Sequence, residues 1–215
     1  LLQKLGSQAR QPGCMAIISV SSDAEGRWVY QQLSKAPGER RIAAQVLIAS
    51  ARRLEQAGAT ALLICANSMH KVFDAVAASI AIPVIHIADS VGEKMKADAV
   101  HSAALLGTAN VMAENWYRQR LVKHGVSLLP AEMDDVNDLE RIIYDELMHG
   151  IVKRDSERAL KTIITEIDQQ DIKSVVLGCT ELSMLVDTKA NVLPIYDSAE
   201  IHADAGVDWI LGDAN

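Results

Sequence analysis

An internal repeat of alternating helical and strand-like segments limits the folds that this chain can adopt. In the first half, a helical segment is followed by the apolar run LLICANS, another helical segment and PVIHIADS. In the second half, the same order contains VVLGCTE and ends in LPIYDS. When Ala66 is aligned with Cys179, Pro83 and Pro194 follow at nearly the same distance. The repeat predicts one supersecondary plan that is used twice.

Short runs rich in Val, Ile and Leu alternate with longer segments of helical period, which is typical of parallel strands joined by crossover helices. Strands are predicted at residues 15–20, 61–66, 84–87, 103–107, 127–129, 174–178 and 192–196. Helices are predicted at 40–56 and 138–149, each followed by a glycine that can end it, Gly58 and Gly150. The predicted fold class is α/β, with two pseudo-symmetric three-layer lobes, each built on a mostly parallel four-stranded sheet.

The repeat divides the chain into two lobes. The first comprises residues 1–97 together with a C-terminal helix at 198–215, and the second comprises residues 98–197. The second half opens with a strand, AALLGT, that has no counterpart in the first half, so we expect an additional strand upstream of Leu1. Because open α/β sheets bind ligands at the carboxyl ends of their strands, we expect the active site in a cleft between the lobes.

Composition argues against several classes of function. A net charge of -7, a pI near 5.3 and 4% aromatic residues leave no basic surface for nucleic acid. No apolar run approaches the roughly 20 residues that span a bilayer, so we expect no membrane partner. Cys14, Cys65 and Cys179 have neither disulfide-framework nor zinc-site spacing, which favours a cytoplasmic protein without a metal.

Polar residues follow the predicted central strand of each half. Asn67 and Ser68 come after LLICA, and Thr180 and Glu181 come after VVLGC. Backbone N–H groups at a helix start, beside such side chains, can bind a carboxylate or a phosphate. These residues predict a site for an anionic substrate, although each could instead serve only as a helix N-cap.

Cys179 is the candidate reactive group, because the positive end of a following helix would lower the pKa of its thiol. The alternative is that it is a buried core cysteine. Cys65 and Ala66 point to opposite faces of their strand, and Ala66 is the residue that aligns with Cys179. We therefore expect Cys65 to pack in a core between sheet and helix. Cys14 is expected to be structural.

Six histidines are present, and none has metal-ligand spacing with another. His70, His86 and His202 are interpreted as hydrogen-bonded structural residues. A polar loop around Asp23 and Glu25 could overhang the cleft or be plain surface. The GxGxxG, Walker, HExxH and GxSxG motifs are absent, which argues against dinucleotide, nucleoside triphosphate and serine-triad chemistry.

The chain resembles the aspartate/glutamate racemase superfamily in four segments: LLICANSMHKV, PVIHIADS, VVLGCTELSMLV and LPIYDSAEIHA. Within it, the chain is similar to the bacterial aspartate racemases and broad-specificity amino-acid racemases. The resemblance covers essentially the whole chain. It implies two pseudo-symmetric α/β lobes, a homodimer, and catalysis without pyridoxal phosphate or metal. It also implies that one thiol from each lobe acts on the α-proton, from opposite faces of the substrate.

Carried over to this sequence, the resemblance makes Cys179 the catalytic cysteine of the second lobe. The family's first-lobe cysteine is replaced by Ala66, which cannot move a proton. The substrate-binding positions that the resemblance implies are Asn67, Ser68, Thr180 and Glu181. The family's Gly-Gly-Met-Ser segment, and a lysine often found near positions 147–149, have no match in this sequence.

Three functions are compatible with these residues. The first is a cofactor-independent racemase of aspartate or glutamate, in which Cys179 abstracts the α-proton and water or His70 replaces the missing thiol. The second is decarboxylation of a malonate-like acid, because arylmalonate decarboxylases resemble this fold and carry a single active cysteine. The third is a non-catalytic binding protein. In each case the expected partner is a small acidic amino acid or a dicarboxylate.

Overall fold

The structure, a computed structural model, describes residues 15–18, 37–129 and 133–212, and the side chains at 41–129 and 137–212. Cys14 and the polar loop around Asp23 and Glu25 lie outside the described residues. So does the expected strand upstream of Leu1, which stays a prediction.

Strands and helices alternate along the described chain. The strands are β1 (Met15–Ile18), β2 (Ala61–Ile64), β3 (Val84–Ile85), β4 (Ser102–Leu106), β5 (Ser127–Leu128), β6 (Val175–Leu177) and β7 (Ile195–Asp197). The helices are α1 (Pro37–Gln56), α2 (Phe73–Ala77), α3 (Ile87–Ala97), α4 (Ala109–Ala113), α5 (Asn115–Lys123), α6 (Met133–Asp145), α7 (Arg154–Gln169) and α8 (Ser198–Leu211). Short 3₁₀ helices occupy Asn67–Val72, Leu147–His149 and Leu182–Met184.

The strands form two parallel sheets. One has the order β1-β2-β3, and the other has the order β5-β4-β6-β7. The chain divides into two compact units: unit 1 comprises Leu1–Ser90 with Ala199–Asn215, and unit 2 comprises Val91–Ser198. The first division therefore falls inside α3, at 90/91, whereas the sequence predicts 97/98. The α/β prediction with parallel sheets is confirmed.

Each of the two central strands, β2 and β6, donates a hydrogen bond to the proline that precedes the neighbouring strand. Proline has no N–H, and in both sheets its carbonyl is the group that pairs with the central strand. The N–H of Leu62 donates to the Pro83 carbonyl, and the N–H of Val175 donates to the Pro194 carbonyl, both at 2.9 Å. The two halves of the sequence repeat therefore make the same backbone hydrogen bond, from the central strand to the proline that precedes the next strand.

The repeat differs at β1. In the second sheet, β5 (Ser127–Leu128) forms the edge and is separated from the central strand β6 by β4. In the structure, β1 pairs directly with β2, from Met15 opposite Ala61 to Ile18 opposite Ile64. Strand β1 therefore occupies in its sheet the position that β4 occupies beside β6. A linear comparison of segments cannot reveal this, because strand order is set by pairing in space.

Unit 1 has its core between β2 and α1. Helix α1 packs Ala43, Leu47 and Ala51 against Leu62 and Ile64. The helix ends as the sequence predicts: Gly58 has a φ of +95°, and the N–H of Ala59 donates to the Leu54 carbonyl.

Unit 2 is covered on both faces of its sheet. Side chains of a strand alternate between faces, and one face of β4 and β6 packs against α6 and α7 in a large apolar cluster. Leu105 and Val176, on the opposite face, are buried as well. A sheet buried on both faces is the three-layer arrangement. Among the described residues, none of the helices combines the length and the hydropathy that a membrane-spanning segment requires.

Candidate active site

Cys179 lies two residues beyond the last residue of β6, where the central strand of unit 2 gives way to a loop. Its side chain is on the same face as Val175 and Leu177, and all three belong to the apolar cluster under α6 and α7. Cys179 is only 5% exposed. The thiol is therefore at the carboxyl end of the sheet, as predicted, but it points inward.

A close approach of two glycines determines where Cys179 sits. The N–H of Gly178 donates to the Leu106 carbonyl at 2.6 Å. A Cβ on Gly107 would lie 3.0 Å from the Gly178 oxygen, and a Cβ on Gly178 would lie 2.8 Å from Cγ1 of Val111. Only glycine allows the ends of β4 and β6 to run this close together, which brings the two loops that follow these strands side by side.

Glu181 accepts side-chain hydrogen bonds from the two residues that precede it in the loop. The thiol of Cys179 donates to Oε2 of Glu181 at 3.0 Å, and the Thr180 hydroxyl donates to the same oxygen at 2.6 Å. The loop is closed by the Ser183 hydroxyl, which donates to the Thr180 carbonyl at 3.1 Å. The structure thus brings together Cys179, Thr180 and Glu181, three of the predicted site residues.

The expectation that a helix end lowers the thiol pKa is wrong for this structure. Burial raises the pKa of Cys179 well above its ordinary value, and the charge and hydrogen bond of Glu181 raise it further. The helix that follows, Leu182–Met184, is a single 3₁₀ turn. So short an element has little dipole to offset burial in an apolar cluster. The resting group is a neutral thiol.

Three polar residues near this loop were not among the sequence predictions. Burial raises the pKa of Tyr144 on α6, and negative charge at Glu140 and Glu181, and at Cys179 once its thiol ionises, adds to the shift. Glu140 accepts a hydrogen bond from the N–H of Ala109 at 3.4 Å.

Thr108 follows the end of β4 and is 6% exposed, and its hydroxyl has no hydrogen-bond partner within the described part of the chain. Thr108 could have been predicted as a site residue from sequence, because it comes just after a predicted strand, as Thr180 does.

Unit 1 carries Ala66, Asn67 and Ser68 at the equivalent place, two to four residues beyond β2. The equivalence holds in detail: the N–H of Met69 donates to the Ala66 carbonyl, and the N–H of Leu182 donates to the Cys179 carbonyl. Asn67 is buried and Ser68 is half-buried. The N-cap positions of the two 3₁₀ helices are Ala66 and Glu181, and neither makes a side-chain capping bond. The alternative that Asn67, Ser68 and Thr180 are N-caps is therefore not what the structure has.

The prediction for Cys65 is wrong. Cys65 and Ala66 do point to opposite faces, but Ala66 is the residue in the core, at 3% exposed and in contact with the α1 cluster, whereas Cys65 is exposed. Ala66 continues the face of Leu62 and Ile64, which α1 covers. Alternation along a strand fixes which residues share a face, but it does not fix which face the helix covers.

Three histidines of unit 1, His70, His86 and His202, meet in the interior. Each is buried and hydrogen-bonded to a backbone group, as their interpretation as structural residues predicts. The ring centroids of His70 and His86 are 4.4 Å apart, and those of His70 and His202 are 5.6 Å apart. Nε2 of His202 lies 3.0 Å from the Ile85 carbonyl, and burial lowers the pKa of His202 to about 4. Across the described ranges, no group of three or more His, Cys, Asp or Glu side chains is arranged to hold a metal ion.

Sequence comparison identifies relatives along nearly the whole chain. The profile of the Asp/Glu/hydantoin racemase family matches residues 7–206. The broad specificity amino-acid racemase RacX of Bacillus subtilis (strain 168) is 23% identical over 172 residues, which cover 78% of this chain and 72% of RacX.

Solved structures agree. A Yersinia pestis protein provisionally described as an Asp/Glu racemase is 34% identical, with a TM-score of 0.78 over 86% of this chain and 80% of that chain. An aspartate racemase homologue from Pyrococcus horikoshii OT3 is 25% identical, with a TM-score of 0.75 over 91% of this chain and 98% of that chain. The resemblance inferred from the motifs is confirmed, and this chain belongs to the Asp/Glu/hydantoin racemase family.

Proposed function

We propose that this protein is a cofactor-independent amino-acid racemase that acts on aspartate or glutamate, with Cys179 as its proton-transferring group. Family membership supports an isomerase of amino acids. The observation that carries the assignment to Cys179 is its hydrogen bond to Glu181, 3.0 Å from Sγ to Oε2 at the end of the central strand. A thiol with a carboxylate acceptor can pass its proton to that acceptor and become a thiolate base.

The proton can be followed through the proposed step. The Cys179 S–H bond breaks and its proton passes to Glu181, which becomes a neutral acid. The thiolate then takes the Cα proton of the substrate, so that a thiol re-forms and a carbanion remains. Because Ala66 carries no acid, water supplies the proton on the opposite face, and the hydroxide that it leaves takes the proton held by Glu181. This restores the Glu181 carboxylate beside the Cys179 thiol. His70 is not the replacement, since both of its ring nitrogens lie within hydrogen-bond distance of backbone groups, Ala66 O and Ile87 N.

The proposed substrate contacts differ in charge. Asn67, Ser68 and Thr180 are neutral groups suited to a carboxylate. Glu181 is a carboxylate itself, so it repels the substrate's carboxylates and suits the α-ammonium group. A substrate that carries both an ammonium and carboxylates, as aspartate and glutamate do, matches this division.

Isotope exchange tests the proposal. The protein is incubated with L-aspartate or L-glutamate in D₂O, deuterium at Cα is followed by NMR, and the D-enantiomer is measured by chiral chromatography. We expect both to appear and both to be lost in Cys179→Ala, whereas the matched control Cys65→Ala keeps them. Exchange without a D-product would assign Cys179 to one-sided deprotonation and overturn racemisation. No exchange with either substrate would overturn the proposed function.

A neutral thiol favours one second candidate. A decarboxylase needs its cysteine only to protonate a carbanion, and the burial that raises the pKa of Cys179 keeps that proton in place. Release of carbon dioxide from substituted malonates, together with no exchange on amino acids, would support this alternative. Thermal stabilisation by dicarboxylates without turnover in either assay would instead support a non-catalytic binding protein.

Two further proposals remain: the family resemblance supports a homodimer, and the absence of disulfide-framework spacing among the cysteines supports a protein that works in the cytoplasm. Light scattering coupled to size-exclusion chromatography tests the first: a monomer mass at micromolar concentration would overturn it. Fractionation of the producing cell tests the second.

A further inference from the structure

The His70 side chain joins two segments of unit 1 that are far apart in sequence. It is buried, and its Nδ1 lies 3.0 Å from the Ala66 carbonyl oxygen. Its Nε2 lies 3.2 Å from the backbone nitrogen of Ile87, the first residue of α3. One ring thus connects the loop after β2 to the start of a helix.

The chemistry of these two backbone groups fixes the tautomer of His70. A backbone N–H can only donate, so Nε2 must present its lone pair to Ile87. A carbonyl oxygen can only accept, so Nδ1 must carry the proton and donate it to Ala66. His86 acts on the same helix in a similar way, because its Nδ1 accepts from the N–H of Ala88 at 3.0 Å. The first two N–H groups of α3 therefore donate to imidazole rings. Nε2 of His70 and Nδ1 of His86 must each be unprotonated to accept these bonds.

The Ala66 carbonyl connects His70 to the proposed substrate site, because Ala66 directly precedes Asn67 and Ser68. It accepts from His70 and also from the N–H of Met69 at 3.2 Å, so the peptide group between Ala66 and Asn67 is held from two sides. Asn67 and Ser68 follow at once, and we call these two residues the Asn67–Ser68 turn. In unit 2, Ser183, which aligns with His70, donates to the carbonyl of Thr180, which aligns with Asn67 rather than with Ala66.

We propose that His70 is a positioning residue that orients the Asn67–Ser68 turn through its Nδ1–H bond to the Ala66 carbonyl. This inference rests on the proposed function, in which Asn67 and Ser68 bind a substrate carboxylate. His70 does not touch the substrate in this role. It acts through the backbone, and only as the Nδ1–H tautomer.

A matched pair of substitutions separates the two bonds. The amide of His70→Asn can take the place of Nδ1 and keep the donor to Ala66, while it loses the acceptor for Ile87. The amide of His70→Gln can take the place of Nε2 and keep the acceptor, while it loses the donor. Each variant loses one hydrogen bond, so the two are expected to lose similar stability. Only His70→Gln should raise the KM for aspartate, by about threefold to tenfold, with kcat within about twofold of the parent.

Amide hydrogen exchange supplies a readout that does not need turnover. We expect faster exchange at residues 67–69 in His70→Gln and at 87–88 in His70→Asn, each with the other segment unchanged. His202→Gln is the control for disturbing the same histidine cluster, because His202 bonds to Ile85 rather than to Ala66. It should leave KM unchanged.

The outcomes distinguish this inference from the proposed function. If the parent protein has no activity, the proposed function fails, and the crossed exchange pattern still decides whether His70 positions the turn. Equal changes in both segments for both variants, or an equal rise in KM, would mean that His70 only fills the core. Long-range ¹H–¹⁵N NMR of the parent protein gives a check without any substitution: an Nε2–H tautomer for His70 would overturn the proposal.

Discussion

The thiol of Cys179 donates a hydrogen bond to the carboxylate of Glu181, with 3.0 Å between Sγ and Oε2. The donor belongs to the apolar cluster of unit 2, and the acceptor is half-buried in the loop that follows. Ionisation of the thiol would place two negative charges side by side in a poorly solvated place. The pair therefore holds one proton on sulfur at rest, and the ease with which that proton leaves depends on Glu181.

Replacing Glu181 should make the thiol of Cys179 more acidic. Glu181→Gln removes the negative charge next to the thiolate, so the pKa of Cys179 is expected to fall. It should stay above the ordinary value, because burial is the largest cause of the shift. The measurement is thiolate absorbance at 240 nm against pH, in a chain whose other cysteines are replaced by serine. Thr180→Val keeps the charge and is the control, and an unchanged or higher pKa in Glu181→Gln would contradict the expectation.

The cysteines should differ strongly in reactivity. Cys65 is exposed and Cys179 is buried. Modification of Cys179 by an aromatic disulfide reagent therefore requires local opening of the chain, and is expected to be on the order of a hundredfold slower than that of Cys65. Single-cysteine variants of the two positions, both carrying Cys14→Ser, allow the rates to be compared directly. Equal rates would mean that the Cys179 thiol is open to solvent.

Gly178→Ala should destabilise unit 2. The added Cβ would lie 2.8 Å from Cγ1 of Val111 and 3.0 Å from Cδ1 of Leu105, both in the interior. Overpacking of this kind costs about 1–3 kcal/mol in the free energy of unfolding, measured by urea denaturation. In a Val111→Ala background, the nearest clashing atom is gone, so the same change should cost less. Identical costs in the two backgrounds would show that Val111 is not the obstacle.

His202 should make the protein less stable in mild acid. Its pKa is about 4 in the folded chain, because burial disfavours the charged ring, against 6.5 for an ordinary histidine. The unfolded chain therefore binds a proton first as the pH falls. The contribution is complete above pH 6.5 and is lost progressively down to pH 4, and its size is about 3 kcal/mol. Urea denaturation at pH 7 and pH 5 should show a loss of about 2 kcal/mol, because the rest of the contribution is lost below pH 5. His202→Gln, which can keep a donor to Ile85, should lose less stability over that range.

The two central strands and the helices that flank them were predictable from sequence, because apolar runs and helical period are local signals. Pro83 and Pro194, which the sequence repeat aligns, each accept a backbone hydrogen bond from the central strand of their sheet. The place of β1 beside β2 was not predictable, since strand order depends on pairing between distant segments. The same holds for the inward side of Ala66 and the exposure of Cys65, which depend on where α1 packs.

In the candidate site, the positions of the residues could be derived from sequence: Cys179, Thr180 and Glu181 follow one central strand, and Ala66, Asn67 and Ser68 follow the other. Those positions follow from chain order alone, because a parallel strand always delivers its next residues to the same sheet edge. The protonation states in and beside this site depend on the folded environment and could not be derived from sequence. The protonated thiol of Cys179 and the tautomer of His70 are set by the burial, charges and backbone groups that folding brings around them.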